Sequence, residues 1–178
     1  KHYRPIRLCQ VVYKALAKIL VNKLKPFLSR CVSKSQSAFV PGRQILDNVM
    51  LSHELMHFLK NKRHGKVGSM AMKLDMSKAY DRVEWRFLKA IMAKMGFCTK
   101  WRGWITACIS SVTYSFDINA EHKECITPSR GIRQGDPLSP YLVLLCSEGL
   151  SHMLQKAKLE KELTGVKFSR GAPAITHL

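Results

Sequence analysis

The chain has 178 residues, 46% hydrophobic and 24% charged, a balance that excludes a disordered polypeptide and allows a buried core. Thirty Lys and Arg against twelve Asp and Glu give a net charge of +18, which points to a polyanionic partner, nucleic acid before membrane. No apolar run approaches the roughly 20 residues that span a bilayer, so no membrane partner is expected. Lys1 in place of an initiating Met is expected to mark a piece of something larger.

Residues 1–46 carry ten cations (Lys1, Arg4, Arg7, Lys14, Lys18, Lys23, Lys25, Arg30, Lys34, Arg43) and no acid. The pattern predicts mostly helix over 8–30, perturbed near Pro26. Lys14, Lys18 and Lys25 stand at i, i+4 and i+11 and would line one side. Val12, Ala15, Leu16, Ile19 and Leu20 would form the opposite, buried stripe. A solvated face normally mixes signs; this one suits a run of phosphates.

Pro41-Gly42 marks a turn, and Asp47 is expected to cap a second helix running to about Lys60. That helix carries His53-Glu54-Leu55-Met56-His57, a match to the H-E-x-x-H zinc pattern. A zinc metalloprotease needs a third ligand, and the one downstream candidate is Glu84. The plainer expectation buries Leu51, Leu55 and Phe58 and leaves both His partly exposed.

Beyond the polar turn NKRHGK, the segment SMAMKLD (69–75) alternates, with Met70, Met72 and Leu74 on one side, so a half-buried strand is expected to end at Asp75. Helices are expected at about 84–95 and 98–109, divided at Gly96. TYSFDIN and KECITPS read as a hairpin pair. SPYLVLLCSEGLSHMLQKA starts with Ser139 as cap and Pro140 in the first turn, with Leu142, Val143, Cys146, Leu150, Met153 and Leu154 as its core stripe. GVKFSRGAPAITHL reads as extended segments around a turn. This order favours an α+β fold. Six cysteines without a C-x-x-C pair are expected to be buried free thiols in a reducing compartment.

Two stretches carry chemistry. KLDMSKAYDRVEW (73–85) places Asp75 at a strand end, where a carboxylate suits a divalent metal or, more plainly, caps the next turn. RGIRQGDPLSP (130–140) is a Gly-containing loop with Arg130, Arg133 and Gln134 before a Pro-stiffened helix start.

Together with YRPIRL (3–8), YKALAKILVNKLKPFL (13–28) and QSAFVPGRQILDN (36–48), these segments resemble, in order, the reverse transcriptase of LINE-type non-LTR retrotransposons, plant elements especially. The resemblance implies a right-hand polymerase fold: fingers over 1–66, palm over 67–178 with fingers-associated helices near 84–109, and an incomplete palm sheet. It implies RNA-directed DNA synthesis with an RNA template, a DNA primer or target, and dNTP, and a nuclear location. Asp75 would bind the catalytic Mg²⁺ ions, and Tyr80 would lie under the nucleotide sugar and exclude a 2′-hydroxyl. Gln134 and Gly135 would contact nucleotide and template, and Arg4 the triphosphate. Lys14, Lys18, Lys25, Arg43, Arg130 and Arg133 would contact nucleic acid, while Asp81 would be structural.

One departure stands out. The family's next motif is an Asp-Asp pair, and none of the twelve acids here adjoins another. The isolated chain is therefore expected to be inert, lacking the second metal-binding carboxylates. A nucleic-acid-binding remnant without catalysis is the alternative from another class. Group II intron maturases share the fold and reaction, but DMSKAYDRVEW and QSAFVPGR are worded more like the LINE enzymes.

Overall fold

A computed structural model describes residues 10–63, 68–118, 121–169 and 171–178, with side chains given outside 116–125. Arg4 and the YRPIRL segment lie outside the described residues. The chain forms two compact units, each made of two stretches: residues up to Leu24 with Ser77–Cys146, and Lys25–Met76 with Ser147–Leu178.

Helix α1 (Val11–Cys31) opens the first unit and runs unbroken through Pro26. Its buried face differs from the expected one. Val12, Leu16 and Ile19 are 81%, 48% and 53% exposed, whereas Ala17, Leu20, Val21, Leu24 and Leu28 are buried. The buried set follows Tyr13 at i+4, i+7, i+8, i+11 and i+15, one continuous helical face. Both faces are apolar in sequence, so periodicity does not choose between them. The phase is set by Tyr13, whose hydroxyl bonds Asp136.

Helices α3 (Trp85–Lys94) and α4 (Thr99–Ser110) pack against each other as expected. Gly96, at φ +86°, ends α3: its N–H reaches Ala93 O at 3.1 Å, and the Phe97 N–H reaches Met92 O at 3.0 Å. This pair of bonds satisfies carbonyls that the helix end leaves open, and the left-handed turn suits glycine. Strands β1 (Tyr114–Ile118) and β2 (Glu121–Ile126) form the expected antiparallel hairpin, with Tyr114 opposite Ile126. Helix α5 (Ser139–Leu159) begins at Ser139, but its buried face includes Leu144, Leu145 and Glu148, while Met153 is 70% exposed.

In the second unit, α2 (Ile45–Asn61) begins two residues before Asp47, which sits in its first turn, where an acid complements the helix dipole. The loop before α2 is fastened by polar side chains. Arg43 donates to the carbonyls of Ser33, Gln36 and Val32, and Asn48 Nδ2 donates to Ser35 O at 2.7 Å. Glu148, fully buried, accepts from the Ser33 N–H at 2.9 Å and the Ser33 hydroxyl at 3.1 Å. A carboxylate so placed is tolerable because donors meet its oxygens.

The strand expected over 69–75 does not form. Residues 68–76 join no ladder, and Met70, Met72 and Leu74 are 78%, 68% and 64% exposed. An alternating pattern specifies which side would be buried, but a strand also needs a neighbour for its N–H and C=O groups. Among the described residues, ladder pairing is confined to β1–β2 and one isolated bridge, Val166 with Ile175, within the C-terminal extended segments. The described part is mostly helical, and none of its helices is long and apolar enough to cross a membrane.

The helical phase of α1 is directly testable. Leu24→Ala is expected to destabilise the chain by about 2–5 kcal/mol in urea unfolding, and Val12→Ala by less than about 0.5 kcal/mol. Equal losses would contradict the observed face.

Candidate functional site

Parts of the two chemistry-bearing stretches, residues 78–85 and 130–138, meet in the first unit. Lys78, in the left-handed region at φ +55°, opens a single 3₁₀ turn over Ala79–Arg82. Its carbonyl accepts the N–H groups of Asp81 at 3.0 Å and Arg82 at 3.2 Å. A left-handed non-glycine residue costs about 1–3 kcal/mol and persists where its surroundings fix it.

The backbone of this turn holds the 130–138 loop. The Gly131 N–H donates to Val83 O and the Ile132 N–H to Tyr80 O, both at 2.8 Å. The Trp85 indole N–H closes the set on Gly131 O at 2.7 Å. Gly131 has φ +83°, and a Cβ there would stand 3.0 Å from Asp81 O, so both the backbone conformation and the close approach favour glycine. Tyr80, half-buried, and Gln134, two residues beyond Ile132, are thus fixed to one frame by main-chain bonds.

Helix α1 secures the other side of the loop. The Tyr13 hydroxyl donates to Asp136 Oδ2 at 2.6 Å, a short bond of the charge-assisted kind. Asp136 is 5% exposed, and its other oxygen accepts the Leu138 N–H at 2.9 Å, just ahead of α5. The Arg133 guanidinium lies 4.4 Å from the centre of the Tyr13 ring. One phenol therefore ties down the residues flanking Gln134 and Gly135, and Gly135 supplies the reversal at φ +91°. Burial first, then the Asp136 carboxylate, push the Tyr13 phenol above its ordinary value. Burial, with Asp136 second, also raises the Cys108 thiol, and burial raises Cys146 to about 11.

The remaining predicted residues are divided between the two units. Lys14 and Lys18 are exposed on the first unit's part of α1, and Lys25 is half-buried in the second unit. Arg130 pairs with Glu84 at 3.6 Å, with both side chains more than half exposed, a contact of little energetic weight. Arg43 closes its own loop through carbonyls. Asp75 is exposed and belongs to the second unit. Sequence reasoning missed Tyr13, Trp85 and Asp136. Their signals were a polar tip in an apolar helix stripe, and an acid beside a glycine turn in a strongly basic chain.

Residues 1–170 match the family described as reverse transcriptase (RNA-dependent DNA polymerase). The chain belongs to this family. It is a reverse transcriptase domain of the non-LTR retrotransposon kind, and the family implies the reverse transcriptase polymerase fold. It is 33% identical to the transposon TX1 uncharacterized 149 kDa protein of Xenopus laevis, over 88% of this chain and 12% of that one. It is 27% identical to the retrovirus-related Pol polyprotein from type-1 retrotransposable element R2 of Nasonia vitripennis, over 79% of this chain and 13% of that one. It is 49% identical to an uncharacterized mitochondrial protein of Arabidopsis thaliana, over 35% of this chain and 52% of that one. The matched segments thus span between 12% and 52% of the length of these relatives.

Reverse transcriptases generally use divalent metal ions. Among the described residues, no three His, Cys, Asp or Glu side chains gather as a ligand set. The exposed Asp75 carboxylate fits an ion held by one or two carboxylates and completed by substrate phosphates, and does not fit a protein-built cage. His57 pairs with Asn61 at 2.9 Å on α2, and the metalloprotease reading has no third protein ligand among the described residues.

The Tyr13 clasp gives a pH signature. A phenol whose folded value is raised contributes stability that is complete below about 10 and declines as pH rises past that value. Tyr13→Phe is expected to lose roughly 1.5–3 kcal/mol at neutral pH and to show a flatter alkaline decline than wild type in urea unfolding. Parallel alkaline curves would rule out the clasp.

Proposed function

We propose that this domain is the nucleotide-facing part of an RNA-directed DNA polymerase that copies an RNA template onto a DNA primer or target with dNTP. The reading rests on one observation: the Ala79–Arg82 turn and the 130–138 loop are joined by main-chain hydrogen bonds. Phosphoryl transfer asks mostly for placement, and a frame of backbone bonds supplies it. Tyr80 lies under the sugar and excludes a 2′-hydroxyl, while Gln134 and Gly135 meet the nucleotide and template. Arg4 holds the triphosphate through its guanidinium fork.

Asp75 is the carboxylate that would hold Mg²⁺. When bound, such ions neutralise charge on the transferred phosphate and activate the primer hydroxyl. The chain's own residues bind and orient: Lys14, Lys18 and Lys25 track phosphates, and Arg130 and Arg133 line the loop that faces them. Fingers over 1–66 and palm over 67–178 describe the division within the polymerase. Work on a chromosomal target would place the parent protein in the nucleus. With one family-matched acid at the metal, the isolated chain binds nucleic acid without extending a primer.

Binding to an RNA–DNA primer–template at several salt concentrations tests this. Lys14 and Lys18 both changed to Ala should weaken binding and reduce the salt slope by about 1.4 to 1.8, at roughly 0.7–0.9 for each phosphate no longer neutralised. Asp75→Asn should leave affinity within about twofold, since affinity resides in the cations. An unchanged slope in the double variant, or Mg²⁺-dependent extension by the isolated chain, would contradict the reading.

A further inference from the structure

A second acid-free stretch begins at the edge of the site described so far. Residues 85–116 hold Arg86, Lys89, Lys94, Lys100 and Arg102 and no Asp or Glu. Most of this stretch is the α3–α4 hairpin, and Arg86, Lys89, Lys94 and Lys100 are all exposed. Arg102 turns inward to its helix start, donating to Phe97 O and Thr99 Oγ1, both at 3.1 Å.

On α4 an indole is exposed within this acid-free stretch. Trp104 is 44% exposed. Its ring meets the edge of Trp101 at 6.1 Å and 65°, which braces it. Lys100 Nζ lies over its ring, 5.3 Å from the centre, so a cation stands at the aromatic surface itself. Next to it, Gly103 sits inside the helix, where glycine costs about 1 kcal/mol relative to alanine. No packing requires that glycine, because a Cβ there would meet nothing within 4 Å. A bare backbone beside a braced, exposed ring leaves room for a flat group to approach closely.

We propose that Trp104, with Gly103 and Lys100, is a stacking platform for one base of a single-stranded nucleic acid, its phosphates met by the exposed lysines of α3 and α4. Uniform positive charge selects a polyanion over a protein partner, and the aromatic face selects unpaired bases over duplex, whose bases are already stacked. These residues are other than the α1 cations and those of the 130–138 loop, although the proposal rests on the same reading of the domain as a nucleic-acid binder.

Tryptophan emission of the full chain, titrated with a short single-stranded oligothymidylate, tests the proposal. Wild type should be quenched, and Trp104→Ala should lose most of the quench and bind about 5- to 150-fold more weakly. Trp104→Phe should recover much of that affinity, and Gly103→Leu should weaken binding while the fold, followed by circular dichroism, is retained. Replacing Lys14 and Lys18 should leave the quench at saturation intact. If Trp104→Ala and Gly103→Leu bind as wild type while the α1 variants do not, the platform is wrong and the nucleic-acid reading stands. If duplex quenches as well as single strand, or an acidic peptide binds Trp104 in its place, the platform is also wrong. No binding by wild type would overturn both readings.

Discussion

The close approach of Gly131 to the backbone of Asp81 is the constraint on which the rest of the site depends. A Cβ at position 131 would stand 3.0 Å from Asp81 O, tighter than an ordinary side-chain contact, and glycine leaves that space open. That approach lets Val83 O and Tyr80 O each accept an amide at 2.8 Å from the loop. Main-chain bonds hold the frame regardless of which side chains project from it. The side chains of Tyr80 and Gln134 take no part in those bonds. A left-handed Lys78 on one side and a left-handed Gly135 on the other mark where the backbone bends to make the frame.

Helix α1 links this frame to the charge that surrounds it. Tyr13 fixes the rotation of the helix by bonding Asp136, and that rotation leaves Lys14 and Lys18 exposed. One phenol therefore couples loop geometry to the direction of the basic stripe. The same bond brackets Gln134 and Gly135, because Arg133 stacks on the ring and Asp136 takes the hydroxyl. In the second unit, Arg43 and Glu148 fasten loops in a comparable way, each polar group satisfied by loop donors or acceptors.

Locally encoded features were legible in the sequence. The α3–α4 hairpin with its Gly96 stop, the β1–β2 hairpin and the start of α5 follow from periodicity and turn chemistry within short windows. Features decided at a distance were not. Two apolar faces on α1 were equivalent until a partner far along the chain selected one. The alternation of Met70, Met72 and Leu74 encodes a strand side, yet pairing is a property of two segments and no single stretch contains it. The carbonyls that Arg43 meets were likewise invisible in the sequence, because the fold of the loop assembles them. The candidate site was legible as motifs; the clasp that orients them was not, since Tyr13 and Asp136 become a pair only after folding.

Amide hydrogen exchange at Gly131 and Ile132, read residue by residue in the full chain, tests the central claim most directly. The account predicts protection comparable to the buried turns of α3 and α4, because both N–H groups are locked onto the Tyr80–Val83 turn. Exchange of both amides at the rate of an open surface loop would show that the two motifs are not joined, and the account would fail.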